Sequence, residues 1–588
     1  MVGRVWPFRV ERQSLQRIRV SWWADLVAFL VLVLVLFGVI EVAARWIGPM
    51  TSETTLDLSA WNLPLYALFS LARMTAAFTA ALGFGLVYGR LAAADPRLEH
   101  VLLPVLDILQ SIPILSFMPG VVLALVALFP HRNLGAELAA IVLIFTSQAW
   151  NLAFSVYQSV ITVPKDLREA AAMLHFTRWQ RLTRLELPFA LVPLLWNSVM
   201  SWAGGWFFLM ASEQFTLGER SFRLPGLGAY LATAADQGDL RALGLGLVAL
   251  VTVIVLVDRL FWQPLLAWSH RFTLDEVSSE LRPGRAAGSW FQRSLLVSWL
   301  WLQWMHPLVR WLDHVFDRLL RQEATYKLTR QELPSRSETT RHGRRALPLL
   351  AGMGLFALVG GTVARAALEL PASSWLELAT AASISFARVM VTLIITALWT
   401  VPVGVAIGTN PSLTARVQPV VQTLASIPAT ALFPAIVLVL LGLPGGLQMA
   451  ALVLLALGTQ WYVLFNVIAG AAAIPHDFIE AATIFRLTWW QRWQHLLLPA
   501  IFPSLITGLI TAAGGAWNAT IVAEYVVFRG EIYVAGGLGA EIASSAATGD
   551  YQRLLAATVL MAAIVVVLNR TFWARLYRLS MERFQLAR

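Results

Sequence analysis

The chain has 588 residues, of which 58% are hydrophobic and 13% charged, and its mean hydropathy is +0.67. Soluble globular chains carry about 25% charged residues, and apolar runs beyond about 18 residues read as membrane spans, so a soluble multidomain enzyme is excluded. Disorder is excluded as well, because 25 Trp, 30 Phe and 10 Tyr demand burial.

The formal charge of +10 rests on arginine: Lys165 and Lys327 are the only lysines. The arginines gather at the ends of apolar runs, where the positive-inside bias places them. The expected partner of this charge is therefore membrane lipid and not nucleic acid. With no cysteine, disulfides, thiolate metal sites and cysteine nucleophiles drop out. The nine histidines never stand at i, i+4, so no zinc helix is expected.

Apolar length predicts an all-α, polytopic membrane protein with spans at about 24–46, 63–89, 100–129, 134–160, 187–211 and 240–268. A second set is predicted at 347–369, 378–408, 416–443, 446–472, 499–523 and 552–574. The first run is too long for a signal-peptide core and lacks a small-residue cleavage site, so it reads as a retained span. Residues 1–23 carry Arg4, Arg9, Arg12, Arg17 and Arg19, whereas 48–62 has no Lys or Arg. The N-terminus is thus expected in the cytoplasm of a bacterial inner membrane, and six spans per half return the C-terminus to the same side. The expected layout is a tail (1–23), a six-helix unit (24–269), a cytoplasmic linker (270–346), a second six-helix unit (347–577) and a tail (578–588).

The two units repeat one another. Leu71-Ala72-Arg73 recurs as Phe386-Ala387-Arg388, and Ser111-Ile112-Pro113 as Ser426-Ile427-Pro428, at an offset of 315. After one four-residue deletion the offset is 311: Pro164 with Pro475, Glu169 with Glu480, Pro188 with Pro499, Glu213 with Glu524, and Gly226-Leu227-Gly228 with Gly537-Leu538-Gly539. An even number of spans in each unit makes the repeats parallel, related by an axis along the membrane normal. In the linker, Leu295, Trp299, Leu302, Val309, Leu312, Phe316 and Leu319 keep roughly helical spacing, which fits an amphipathic helix in the interface, either a tether or a docking element.

Between the fourth and fifth spans of each unit lies a polar segment. Glu169-Ala170-Ala171 begins one that runs to Pro188, and Glu480-Ala481-Ala482 one that runs to Pro499, with 10 of 20 positions identical. Asp166 and Asp477, three residues before the glutamates, are expected as N-caps with Glu at N3. The closing prolines are expected to bar a smooth run into the next span. Each unit should therefore present a short, capped, partly apolar helix to the cytoplasm.

These segments resemble the "EAA" loop of ATP-binding-cassette importer permeases: Glu-Ala-Ala, a glycine four residues on, and a terminal Leu-Pro. Ser-Ile-Pro before the loop, Trp-Gln within it and Gly-Leu-Gly after the fifth span resemble the nitrate, taurine and sulfonate branch. The resemblance covers about 60–270 and 375–577. It implies a coupling helix seated in a groove of a cytoplasmic ATPase, through Glu169, Ala170, Ala171, His175 and Pro188 in one unit and Glu480, Ala481, Ala482, Arg486 and Pro499 in the other. His175 and Arg486 depart from the family glycine, which puts the local geometry and the choice of ATPase in question. Neither lysine stands in a Gly-Lys-Ser/Thr P-loop. ATP and Mg are therefore expected on separate ATPase subunits, two copies per chain, and no cofactor or catalytic residue in this chain.

Charge within a span marks a candidate site. Arg73 and Arg388 either attract a small anion or snorkel to the outer interface. Glu213 and Glu524 either gate, pair with those arginines, touch an external partner, or simply end a helix in solvent. Pro113 and Pro428, with Ser111 and Ser426, are expected to kink the third spans and line a pathway or shape packing. The small-residue pairs Gly85/Gly89 and Gly404/Gly408 are expected at close helix contacts. Stretches 212–238 and 524–550 are too polar to span and form the expected face for a substrate-delivering protein. The reading is the fused membrane subunit of an importer for a small anion such as nitrate, bicarbonate, a sulfonate or taurine. The alternative is a gradient-driven transporter with two six-helix halves, for which few deep acidic groups are present.

Overall fold

A computed structural model describes residues 56–269 and 370–583, except 131, 218, 219, 529 and 530, with isolated positions between 23 and 46 and between 294 and 361. The spans expected at 24–46 and 347–369, the linker, the N-terminal tail and residues 584–588 lie outside this described part or are touched by it only at isolated positions, whereas 578–583 continue the last helix, Ala574–Arg583.

The first half runs α1 (Leu63–Ala94), α2 (Pro96–Ser111), α3 (Met118–Leu128), α4 (Leu134–Ile161), α5 (Lys165–Met173), α6 (Leu187–Ser212), the hairpin β1 (Gln214–Leu217) and β2 (Arg220–Arg223), α7 (Leu227–Gln237) and α8 (Leu240–Val257). The second repeats this order as α9 (Ala372–Gly408), α10 (Pro411–Ala425), α11 (Ala429–Leu440), α12 (Gly446–Ala472), α13 (His476–Ile484), α14 (Leu498–Ala523), β3 (Tyr525–Phe528), β4 (Glu531–Val534), α15 (Leu538–Thr548) and α16 (Tyr551–Leu568). Seven helices among the described residues are long and apolar enough to cross a membrane.

Glycine sets how closely these helices approach. A Cβ on Gly85 would stand 2.9 Å from Leu152 Cβ, and one on Gly89 would be 2.8 Å from Val156 Cβ. Gly404 and Gly408 likewise meet Val467 and Ala471, each at 2.7 Å. In both halves the second span thus lies backbone to backbone on the fourth, the approach that paired small residues permit.

Prolines act differently from expectation. The third span of each half is not one kinked helix. Pro113 is the N-cap of a 3-10 turn, Ile114–Ser116, ahead of α3, and Pro428 is the N-cap of α11. Helices of 11 and 12 residues rise only about 16–18 Å, too short to cross the roughly 30 Å hydrocarbon layer. Pro188 and Pro499, by contrast, do not separate the polar segment from the fifth span. They stand at the second residue of α6 and α14. The turns just before them, Leu182–Glu186 and Trp493–Leu497, widen to π geometry, so the helix stays continuous from Arg178 to Ser212 and from Trp489 to Ala523.

The stretches too polar to span form antiparallel hairpins followed by α7 and α15. The halves interlock: Ala431 joins the apolar core of the first half, and Leu115 and Ala235 join that of the second. Polar contacts join them as well. Asn518 on α14 accepts from the backbone amides of Ile114 (2.6 Å) and Leu115 (3.4 Å), at the break in the opposite third span. Thr558 on α16 donates to the carbonyl of Ser116 at 3.1 Å.

Candidate functional site

The Glu-Ala-Ala segments fold as the short helices α5 and α13, but their caps are not those expected. Pro164 and Pro475 occupy the N-cap positions with no side-chain hydrogen bond, and Asp166 and Asp477 lie inside the first turn. There they act on the helix dipole instead of holding a backbone amide. Proline fixes the entry angle and takes the cap position that aspartate would otherwise fill. A reciprocal cap does occur, one helix later. The Thr177 hydroxyl accepts from the Gln180 amide at 3.1 Å while the Gln180 side chain accepts from the Thr177 amide at 3.2 Å, and Thr488 and Gln491 repeat it. Thr-x-x-Gln is a capping-box spacing, visible in the sequence at 177–180 and 488–491 and overlooked there.

The C-termini of α5 and α13 explain the missing glycine. Phe176 N–H donates to Ala171 O and His175 N–H to Ala172 O, both at 3.0 Å. Leu487 N–H to Ala482 O and Arg486 N–H to Thr483 O do the same, at 3.0 Å. This is the Schellman pattern, whose C′ residue must be left-handed and is usually glycine. His175 has φ 49° and Arg486 φ 51°, the only non-glycine residues with positive φ among those described. The geometry that glycine serves is therefore retained, at a steric cost of about 1–2 kcal/mol per position.

Ala171 and Ala482 are buried, whereas Glu169, Ala170, His175, Glu480 and Arg486 are exposed and Pro188, Pro499 and Ala481 half-buried. Beside the glutamates stand exposed apolar side chains: Met173 and Leu174 on one copy, Ile484, Phe485 and Trp489 on the other. Exposed apolar residues clustered on a polar rim mark an interaction surface.

At the far end of α6 and α14 lie two buried clusters, Arg73 with Glu213 in the first half and Arg388 with Glu524 in the second. The Arg73 guanidinium donates to both oxygens of Glu137, with the Nη2 contact at 2.8 Å, and to Glu213 at 2.8 Å. Ser70 donates to Glu213 at 2.6 Å, and Gly228 N–H, at the start of α7, donates to the same carboxylate at 2.7 Å. In the second half Arg388 donates to Glu524, to Gln448 at 2.6 Å and to the Ala535 carbonyl at 3.1 Å. Ser385 at 2.8 Å and Gly539 N–H at 2.8 Å complete that cluster. Neither arginine snorkels and neither glutamate ends a helix in solvent: Arg73, Glu137, Glu213 and Glu524 are each at most 1% exposed. Of the alternatives, pairing is the one observed.

The Gly-Leu-Gly motif belongs to this knot. A Cβ on Gly226 or Gly537 would fall within the carboxylate of Glu213 or Glu524, so these positions admit no side chain. The carboxylates sit at the N-termini of α7 and α15, where the helix dipole favours negative charge. Of the remaining candidates, Ser111 ends α2 and Ser426 caps α10, its hydroxyl donating to the Gln422 carbonyl at 2.9 Å.

Between the halves, at the hairpin end of α6 and α14, lies a cavity of about 310 Å³. Its lining is largely apolar, with Leu115, Met118, Phe215, Phe433, Ile521 and Val526 contributed by both halves. Arg223 on β2 and Asp236 on α7 also line it, paired at 2.8 Å. Arg223 further donates to the Thr233 hydroxyl at 3.2 Å. Burial pushes the Asp236 carboxyl up, against the opposing pull of Arg223. A second cavity, of about 90 Å³, holds Ser426 and Pro428 against Phe207 and Asn518.

The model of the family described as binding-protein-dependent transport system inner membrane component matches residues 81–261 and again 400–580. The bicarbonate transport system permease protein CmpB of Synechococcus elongatus is 30% identical over 186 residues, 32% of this chain and 64% of the relative. The nitrate import permease protein NrtB of Leptolyngbya laminosa is 26% identical over 185 residues, 32% of this chain and 63% of its own length. The taurine transport system permease protein TauC of Escherichia coli is 26% identical over 212 residues, 36% and 70% respectively. The matched part thus spans less than two thirds of the bicarbonate and nitrate relatives.

Proposed function

The chain belongs to the family of binding-protein-dependent transport system inner membrane components, present here twice in one polypeptide, and on that premise we propose that it is the complete membrane-spanning pathway of an ATP-driven importer. Its cargo is a small molecule with an anionic group, of the nitrate, bicarbonate, sulfonate or taurine type. A separate cytoplasmic ATPase, two copies per chain, carries ATP and Mg, and an external substrate-binding protein delivers the cargo to the hairpin end. The units are 24–269 and 347–577, both termini lie in the cytoplasm of the inner membrane, and 270–346 is the linker.

One observation carries this reading. The two Glu-Ala-Ala helices end in the same left-handed cap and expose a carboxylate beside apolar side chains, although their sequences have drifted apart between the caps. A helix kept only to connect two spans needs neither feature. Each helix is joined by a four-residue turn, 174–177 or 485–488, to a helix that continues through a π turn and the fifth span to the hairpin. A push on α5 or α13 therefore passes through that hydrogen-bonded turn and then along the 26 residues of α6 or α14, about 39 Å. ATP binding draws the two ATPase copies together, the coupling helices follow, and the units rock about the cavity between them.

The double variant Glu169→Arg with Glu480→Arg tests the assignment. Uptake into cells or inverted-vesicle export should fall to background while the variant inserts in normal amount, and the co-purifying ATPase should be lost. Normal ATP-dependent transport by the inserted double variant would remove the coupling role.

A further inference from the structure

The two halves are unequal at the cavity between them. Among the described residues that line it, Arg223 and Asp236 are the only charged ones, and both come from the first half. At the offset of 311 their counterparts are Val534 and Ala547. The β2/β4 and α7/α15 positions match in fold, so the charge pair is a feature of composition and not of a different backbone.

Resting on the importer reading above, we propose that Arg223 and Asp236 are the specificity-determining pair of this cavity and select a small dipolar molecule over a bare inorganic anion: one anionic end, one ammonium end, and a short carbon chain between them. An inorganic oxyanion entering the cavity meets a guanidinium whose charge Asp236 already balances at 2.8 Å. It would leave an excess negative charge among apolar side chains, where unpaired charge is costly. A dipolar molecule instead divides the pair. Its anionic end takes the planar donors of Arg223, its ammonium takes Asp236, and the site stays neutral throughout. The side chains are 34% and 22% exposed, so both charges are open to a ligand entering the cavity. The apolar remainder of the lining suits the carbon chain, and about 310 Å³ is within the range of small-molecule sites. Thr233, already bonded to Arg223, orients the guanidinium.

Two matched probes separate charge from shape: 2-aminoethanesulfonate, and ethanesulfonate, which lacks the ammonium. Nitrate serves as the inorganic anion. Binding is read on the purified full chain as ligand-induced shift of thermal unfolding at millimolar probe, independent of any ATPase. The wild type should respond to 2-aminoethanesulfonate at least tenfold more sensitively than to ethanesulfonate or nitrate. Asp236→Asn should erase that preference and raise the response to ethanesulfonate, since Arg223 then loses the carboxylate at 2.8 Å. Arg223→Gln should lose the response to every sulfonate. The exchange Arg223→Asp with Asp236→Arg should keep the preference, which controls for misfolding of the single variants. A wild-type response to nitrate equal to or above that to 2-aminoethanesulfonate, or no response to the dipolar probe at all, overturns the inference. Uptake that depends on Glu169 and Glu480 would still stand in that event, whereas a preference for the dipolar probe without such uptake would leave the cavity assignment and remove the importer.

Discussion

The buried arginines of the two halves should respond unequally to loss of their shared glutamate. Glu213→Ala takes from Arg73 a 2.8 Å contact but leaves the two-pronged grip of Glu137 intact, so the guanidinium stays neutralised. Glu524→Ala takes from Arg388 its only carboxylate among the described residues, leaving Gln448 and the carbonyls of Ala535 and Gly536. Most other consequences are shared: each variant takes the acceptor from a serine hydroxyl and from a backbone amide at a helix N-terminus, which cancel in the comparison, while Glu524→Ala also loses the longer 3.2 Å contact of Ala540 N–H. Breaking one partner from a buried ion pair costs about 3–5 kcal/mol, whereas losing charged hydrogen bonds without stranding a charge costs about 1.5–3 kcal/mol. Glu524→Ala should therefore be the worse by about 2 kcal/mol, near 30-fold in the unfolding equilibrium. Gln448→Glu, which places in the second half the residue that Glu137 supplies in the first, should recover most of that difference in the double variant. Unfolding midpoints of the full chain in a graded denaturing-detergent series would measure all four. Equal losses for the two alanine variants, or no recovery with Gln448→Glu, would refute the argument that uncompensated charge dominates.

Replacing the left-handed residues by glycine should stabilise. His175→Gly and Arg486→Gly should each gain about 1 kcal/mol by removing the Cβ penalty, read as higher thermal midpoints; unchanged or lower midpoints would contradict the strained-cap account. Gly226→Ala and Gly537→Ala should prevent the carboxylate from seating on its helix N-terminus and cost more than about 3 kcal/mol, seen as loss of folded protein from the membrane fraction. Normal yield of either variant would mean that the close approach can relax. Asn518→Ala should unhook the halves at the broken third span and cost about 1–2 kcal/mol for the stranded amide of Ile114. Hydrogen exchange at 114–116 would rise while the stretch at 429–431, which faces Phe207 in the matching place, stays as it was.

Whatever depends on neighbours within a turn or two is legible in the order of residues. The apolar runs, the duplicated order of elements, the Glu-Ala-Ala helices and the polar stretches that cannot span follow from local length and periodicity, because a bilayer leaves the backbone few ways to satisfy its hydrogen bonds. The same local logic failed where two signals compete for one position. Asp166 fits an N-cap until Pro164 takes it, and Pro188 looks like a helix stop until a π turn absorbs it. Tertiary structure alone decided the partners of charged groups. Arg73 lies 140 residues from Glu213 and 64 from Glu137, and no periodicity distinguishes a guanidinium that meets lipid headgroups from one enclosed by two carboxylates. The enclosed pair instead follows from α1, α4 and α7 converging on one point, held close by Gly226. Arg223 and Asp236 are 13 residues apart on a hairpin and a helix, and they become one feature of a cavity only because the second half supplies its opposite wall.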